Sequence, residues 1–293
     1  MTLKEILMKA TRGSWATGHF NASESDQMRA VVEAAKELNT VAIIGTSESE
    51  AKHLGYLEAA ALRDAFRKEF GIPVFLNADH HKSVEAAKTA VDAGYDSIHI
   101  DLSAETYENN VAGTKEIVEY ASRVTSDKGQ GTSINVEGEL GYLAGESKIH
   151  KEKIEISPES YTKPEEAAEF VAKTGVDRLA IAVGNIHGIS LDEPALDIEL
   201  IRKIRGSVPE SVALVLHAGS GIPDEQIKAA IAAGIANIHI NTDIRVAYSK
   251  ALREELAKKP DETTPYKYDT AARDILKQVV EEKLRLFGAV DKL

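Results

Sequence analysis

The sequence predicts an α/β fold, a (β/α)8 barrel that takes residues 1–293 as a single domain with a C-terminal helical extension. Three observations predict it. Eight short apolar runs of strand length recur along the chain. A segment of helical period follows nearly every one. One local pattern repeats: Thr89–Gly94 leads into Ser97–Asp101, Phe170–Gly175 into Arg178–Val183, and Ala229–Gly234 into Asn237–Asn241. Each reads as helix, glycine C-cap, short link and buried strand, because a left-handed glycine ends a helix at low steric cost. Short, wholly apolar strands suit a parallel sheet covered on both faces.

The strands are expected at 16–20, 40–45, 72–77, 97–101, 132–137, 179–183, 213–217 and 237–241. The helices are expected at 25–37, 52–69, 84–93, 107–123, 164–174, 197–205, 224–233 and 243–257. A last helix, Ala271 to Phe287, follows the polar segment Lys258–Pro265. The stretch Gly145–Lys163 is rich in Lys, Glu, Ser and Pro and has almost no apolar periodicity. It reads as a long loop of the kind that serves as a lid. A doubly wound dinucleotide fold would need G-x-G-x-x-G opening a helix after an early strand, and none is present. Gly219-Ser-Gly221 lacks the lysine of a Walker loop.

Composition narrows the function. The chain is 43% apolar and 28% charged, the profile of a soluble globular protein. With no cysteine, it has no disulfide framework, no Cys-ligated zinc or iron–sulfur site and no thiol nucleophile. Its net charge of −12 disfavours non-specific binding to nucleic acid or an anionic membrane. The start, Met1 to Leu7, is too short and too charged for a signal peptide, and no apolar run approaches the ~20 residues of a membrane span. The expectation is a cytoplasmic protein.

Catalytic groups of such a barrel gather where its strands end. The ends here read Asn77-Ala-Asp-His-His81, His99-Ile-Asp-Leu-Ser103, Asn135-Val-Glu-Gly-Glu-Leu-Gly141, Gly184-Asn-Ile-His-Gly188, His217-Ala-Gly-Ser-Gly221 and His239-Ile-Asn-Thr-Asp243. Six of the nine histidines lie in them. His99 or His239 alone reads equally well as a satisfied core residue. Together the six point to a task, since buried unpaired polar groups are costly. Three imidazoles, His80, His187 and His217, can converge on a divalent ion. Spacing alone does not choose between His80 and His81. Asp79 and Asp101 are candidate bases, and Glu137 and Glu139 add carboxylates. No strand interior carries a lysine, which favours metal over imine chemistry. Gly184, Gly188, Gly219 and Gly221 either make tight turns or, with Ser220, let backbone N–H groups approach a phosphate.

These residues resemble those of the class II, metal-dependent fructose-bisphosphate aldolases and the closely similar tagatose-bisphosphate aldolases. The resemblance runs through Trp15–Asn21, Ala78–His81, Val136–Gly141, Val183–Gly188, Leu216–Gly221 and Val279–Gly288, in order along almost the whole chain. It implies zinc held by His80, His187 and His217, with Asp79 as acid/base at the substrate C4 hydroxyl. It places Asp101 and Glu139 beside the metal, where a second or displaced divalent ion can sit. Gly188, Gly219 and Ser220, with His239, Asn241 and Thr242 at the end of the last strand, would take a phosphate and neighbouring substrate atoms. Asn21 and Ser47 would meet the rest of the substrate. The resemblance also implies a monovalent cation, Na+ or K+, near Gly188 and Gly219, and a homodimer or larger homo-oligomer, with Arg285 in the region that reaches a neighbouring subunit.

The implied reaction is reversible cleavage of fructose 1,6-bisphosphate to dihydroxyacetone phosphate and glyceraldehyde 3-phosphate, in glycolysis and gluconeogenesis. The alternative substrate is tagatose 1,6-bisphosphate, the C4 epimer. A non-catalytic sugar-phosphate-binding barrel is the alternative of another class. Its motives are departures from the family pattern: Ser147 stands where the family carries its proton-donating glutamate, and His239 where it carries asparagine. Glu146, directly before Ser147, is the residue expected to take the donor role. Asn77 replaces a histidine, Ala144 a glycine, and Asn241 an aspartate or alanine.

Overall fold

The computed structural model describes residues 1–127, 133–143, 145–150, 157–189 and 195–293. Its strands are β1 (Thr17–Asn21), β2 (Ala42–Ser47), β3 (Val74–His81), β4 (Ser97–Ile100), β5 (Asn135–Leu140), β6 (Gly145–Ile149), β7 (Arg178–Ile181), β8 (His187–Ile189), β9 (Ala213–Leu216) and β10 (Ile235–Ile240). Its α-helices are α1 (Leu3–Gly13), α2 (Ser25–Glu37), α3 (Glu48–Leu54), α4 (Tyr56–Phe70), α5 (Val84–Asp92), α6 (Tyr107–Asp127), α7 (Pro164–Thr174), α8 (Ile198–Ser207), α9 (Asp224–Ala233), α10 (Thr242–Lys258) and α11 (Pro265–Leu286).

Eight strands close into a barrel in the order β1-β10-β9-β7-β5-β4-β3-β2, and every ladder is parallel. This is a TIM barrel ringed by helices, with α11 as the C-terminal extension. The strands are buried on both faces, as their apolar runs require. The repeated glycines do what the pattern predicts: Gly94, Gly175 and Gly234 follow their helices at φ of +91°, +74° and +122°. Among the described residues no helix is long and apolar enough to cross a membrane.

The structure corrects the sequence reading in four places. The helix expected at 52–69 is two. A Ser47–Glu50 capping box starts α3 immediately after β2, and Gly55, at φ +94°, separates α3 from α4. The last helix begins at Pro265, whose ring is preorganised for a first helical turn. An unassigned helix, α1, precedes the barrel. Its sequence signal was a Thr2–Glu5 capping box and a Leu3, Ile6, Leu7, Ala10 stripe, which packs against β9 and β10. The segment expected to be a loop holds β6 and a 3-10 turn at Pro158–Ser160. β6 pairs in parallel with β8 in a two-stranded ribbon, Gly145 opposite His187 and Ile149 opposite Ile189.

Two strands run further than their apolar stretches suggested. β3 continues to His81 and β5 to Leu140, because ladders to β4 and β7 extend past the apolar residues. Asp79, His80, Glu137 and Glu139 are therefore strand residues. Strand rigidity extends to the polar rim.

Close approach between the neighbouring strands β1 and β2 also sets a size limit at Gly45. A methyl group there would run into the imidazole of buried His19. Gly45→Ala is expected to cost about 1–3 kcal/mol, the usual range for overpacking a tight interior. Urea unfolding of the variant checks this, and an unchanged midpoint would contradict it.

Candidate active site and metal centre

Side chains of successive strand residues normally face opposite sides. At the end of β3 that rule is broken. The β3–β4 register shifts between Ala78 and His81, and His80 has φ +45°. The bulge turns both Asp79 and His80 into one cavity of about 1000 Å³ at the strand ends. His81 takes another direction. Its Nε2 is hydrogen-bonded to the Tyr56 hydroxyl at 3.0 Å, which resolves the choice between the two histidines in favour of His80 at the cavity.

His80, His187 and His217 meet there. The His80 ring centroid lies 4.9 Å from that of His187 and 4.5 Å from that of His217. His187 does not come from a barrel strand. It opens β8, so the ribbon supplies the third imidazole. Each ring has a hydrogen-bond partner on one side. His80 Nδ1 donates to Asp101 Oδ2 at 2.8 Å, and His217 Nε2 donates to Glu137 Oε1 at 2.7 Å. His187 is hydrogen-bonded to the Leu143 backbone. These bonds assign the tautomers, leaving the lone pair on Nε2 of His80 and on Nδ1 of His217.

Among the described residues, His80 and His217 fall in a group of ligand atoms that suits a divalent ion, while His187 falls in no such group and approaches it through His80. His80 Nε2 and His187 Nε2 are 3.2 Å apart, close to the edge of a tetrahedron with nitrogen ligands at about 2.0–2.1 Å. Imidazoles anchored through their second nitrogen to a carboxylate or carbonyl are the usual surroundings of a bound metal. Ligand atoms of Asp79, His80, His99 and His217 lie within 4.8 Å of one another, as do those of His80, His99, Asp101 and Glu139. The second group holds the carboxylates expected near a second or displaced ion.

Burial, with His80 adding to it, pushes His187 down to about 3 and holds His217 well below the ordinary imidazole value. Both are neutral, the ligating form. Burial also lowers His80, but Asp79 and Asp101 outweigh it and raise that group. Burial alone would raise Asp79; the charge of His80 and hydrogen bonds from His239 and His99 hold it well below the usual carboxylate range. Asp79 is an ionised carboxylate beside the three imidazoles.

A family model described as "Fructose-bisphosphate aldolase class-II" matches residues 1–292. The chain belongs to the class II fructose-bisphosphate aldolase family. It is 37% identical over 296 residues to a fructose-bisphosphate aldolase of Geobacillus stearothermophilus, covering 100% of this chain and 98% of that one. It is 35% identical over 295 residues, with the same coverages, to a fructose-bisphosphate aldolase of Staphylococcus epidermidis. In structure it resembles the YdjI aldolase of Escherichia coli K12, with a TM-score of 0.82 and 32% identity over 99% of this chain and 98% of that one.

Asn21, Ser47, Asp101, Glu139, Gly188, Ser220, His239, Asn241 and Thr242 all line the cavity. Gly219 does not. Its N–H donates to the His239 carbonyl at 3.0 Å, and a side chain there would press on Ile238 and the His239 carbonyl. Its smallness serves strand packing. The side chain of Glu146 lies outside the described residues, as does Ala144. Asn21 donates to Asp79 Oδ2 and to Glu50 Oε2, both at 3.0 Å. His239 lies with Nδ1 3.2 Å from Asp79 Oδ1 and is stacked on His19 at 3.6 Å.

Sequence reasoning missed three contributors. Glu137, a candidate carboxylate of the site by sequence, does not line the cavity and instead accepts from His217 Nε2. Arg245 lines the cavity in the first turn of α10, and its Nη1 donates to the Ser147 carbonyl of β6 at 3.2 Å. A basic residue three positions after Thr242 was the available signal. Arg178, buried under the site, gave only the oddity of an arginine opening an apolar strand.

Protonation of His80 removes the lone pair that would ligate a metal. Divalent-cation affinity is therefore expected to fall about tenfold per pH unit once pH drops below the His80 titration, while His187 stays neutral. Competition against a chromogenic chelator between about pH 5 and 8 reads this. A flat profile would remove His80 from the ligand set.

Proposed function

We propose that this chain is a metal-dependent aldolase that reversibly cleaves fructose 1,6-bisphosphate to dihydroxyacetone phosphate and glyceraldehyde 3-phosphate. The observation that carries the reading is the carboxylate of Asp79 lining one cavity with His80, His187 and His217 at the strand ends of a barrel matched over residues 1–292 by the family. The residues that would hold the ion are those three histidines, with Asp101 and Glu139 near a second position. Zinc is the ion their nitrogen-rich set favours. Bound there, a divalent ion supplies Lewis-acid polarisation of the ketose carbonyl.

The chain's own residues do the rest. Asp79 accepts the proton of the C4 hydroxyl. As that C–O becomes a carbonyl, the C3–C4 bond breaks and its electron pair stays on C3, conjugated with the C2 carbonyl. Asn21 and His239 hold the two Asp79 oxygens, so the carboxylate meets the hydroxyl in a fixed orientation. A general acid then returns a proton to C3; Glu146 is the proposed donor. One phosphate lies against Gly188, Ser220, Asn241 and Thr242, beside the N-terminus of α10, which has no side-chain cap from Asn241 and whose dipole favours an anion. Asn21 and Ser47 meet the other end of the substrate. A monovalent cation near Gly188, a homo-oligomer, a single domain over 1–293 and a cytoplasmic location complete the reading.

The test is cleavage of fructose 1,6-bisphosphate by protein of known zinc content, before and after chelation and zinc restoration, with tagatose 1,6-bisphosphate alongside. Activity is expected to vanish on chelation and return with zinc, faster on the fructose epimer. Zinc-loaded protein that makes triose phosphate from neither epimer would sink the assignment. Asp79→Asn is expected to lower kcat by about 10²–10⁴-fold, the range for losing a general base, with zinc content unchanged. Near-normal turnover would move the base elsewhere.

A further inference from the structure

We propose that Arg178 is a positioning residue that, acting through Glu137, dictates which ring nitrogen His217 offers to the metal; this rests on the metal-site reading above. Arg178 opens β7 and is completely buried, the largest such side chain among the described residues. It does not line the cavity, and neither does Glu137. Its Nη1 lies 2.9 Å from Glu137 Oε2 and donates to Asn237 Oδ1 at 3.3 Å. Its Nη2 donates to Asn77 Oδ1 at 2.9 Å and to the Ser97 hydroxyl. Glu137 uses its other oxygen, Oε1, to accept from His217 Nε2.

The chain of contacts has one direction. A guanidinium only donates and does not lose its charge in proteins. Facing it, Glu137 is kept as an acceptor-only carboxylate. An acceptor at His217 Nε2 requires the proton on that nitrogen and leaves Nδ1 as the ligating atom. A group able to donate at that position would permit the opposite tautomer, with an N–H aimed at the metal. Strand cross-linking alone is a poor account of Arg178. Its Nε and the facing Glu137 Oε2 have no hydrogen-bond partner, so the two residues meet as a close ion pair, and a buried ion pair gives little stability over apolar side chains of similar volume.

The experiment compares the full-length protein with Glu137→Gln, Arg178→Lys, Arg178→Met and the Glu137→Gln/Arg178→Met double variant. Three quantities are read: the zinc Kd by chelator competition, the visible spectrum of the cobalt-loaded protein, and the Tm of the metal-free protein. Glu137→Gln and Arg178→Met are each expected to raise the zinc Kd by about 10–100-fold, the cost of losing a ligand's outer partner, and to alter the cobalt bands. The double variant is expected to be no weaker than the worse single, because the residues act in series. Arg178→Lys, which keeps the charge, is expected to recover part of the affinity.

Folded variants with a lowered Tm but wild-type zinc Kd and cobalt spectrum would overturn the inference and leave Arg178 a structural residue. Should Arg178→Met not fold, wild-type affinity in Glu137→Gln and Arg178→Lys would overturn it equally. If the wild-type protein itself binds no divalent ion, the metal site falls and this inference with it; if it binds one and the variants match it, only this inference falls.

Discussion

The carboxylate of Glu137 is the interaction on which the rest of the site depends. It sits inside the barrel with Arg178 on one oxygen and His217 on the other. Water does not reach it, and a buried charge persists only when it is paired. The pairing joins β5, β7 and the residue that follows β9, and the other Arg178 contacts reach Asn77 on β3, Ser97 on β4 and Asn237 on β10. A single guanidinium thus touches side chains from most of the barrel beneath the polar rim and, through Glu137, orients one imidazole at that rim.

Above that layer, the site is assembled by two departures from regular structure. The bulge at His80 puts adjacent residues on the same side of a strand, so a base and an imidazole stand next to each other. The β6–β8 ribbon carries His187 to the mouth from outside the barrel ladder. The bulge is held by the β2 and β4 ladders on either side of β3, and the ribbon by the single β6–β8 ladder. The barrel supplies rigidity, and the irregular elements supply convergence.

Charge is divided within the cavity. Asp79, Asp101 and Glu139 crowd the imidazoles, and that density of carboxylate is what makes a divalent cation the natural occupant. On the other side, the start of α10, with Thr242 and Arg245, presents N–H groups and a cation to the same space. An overall net charge of −12 therefore says little about this cavity, whose lining carries carboxylates on one side and Arg245 on the other.

Apolar runs, glycine caps and helical period determined the barrel, since short-range sterics and burial act on neighbours in sequence. Polar residues clustered after those runs marked His80, His187, His217 and Asp79, because strand ends share one face. Their arrangement was not legible in the same way. That His80 rather than His81 faces the cavity depends on a bulge set by pairing with β4. That His187 arrives on a ribbon depends on β6, whose charged sequence has no apolar period. That Glu137 is a partner of His217, and Arg178 of Glu137, depends on side chains separated by 80 and 41 residues meeting inside a closed sheet. Local sequence determined which elements form; the orientation of each charged group was decided only when barrel closure removed water and each group took the nearest partner.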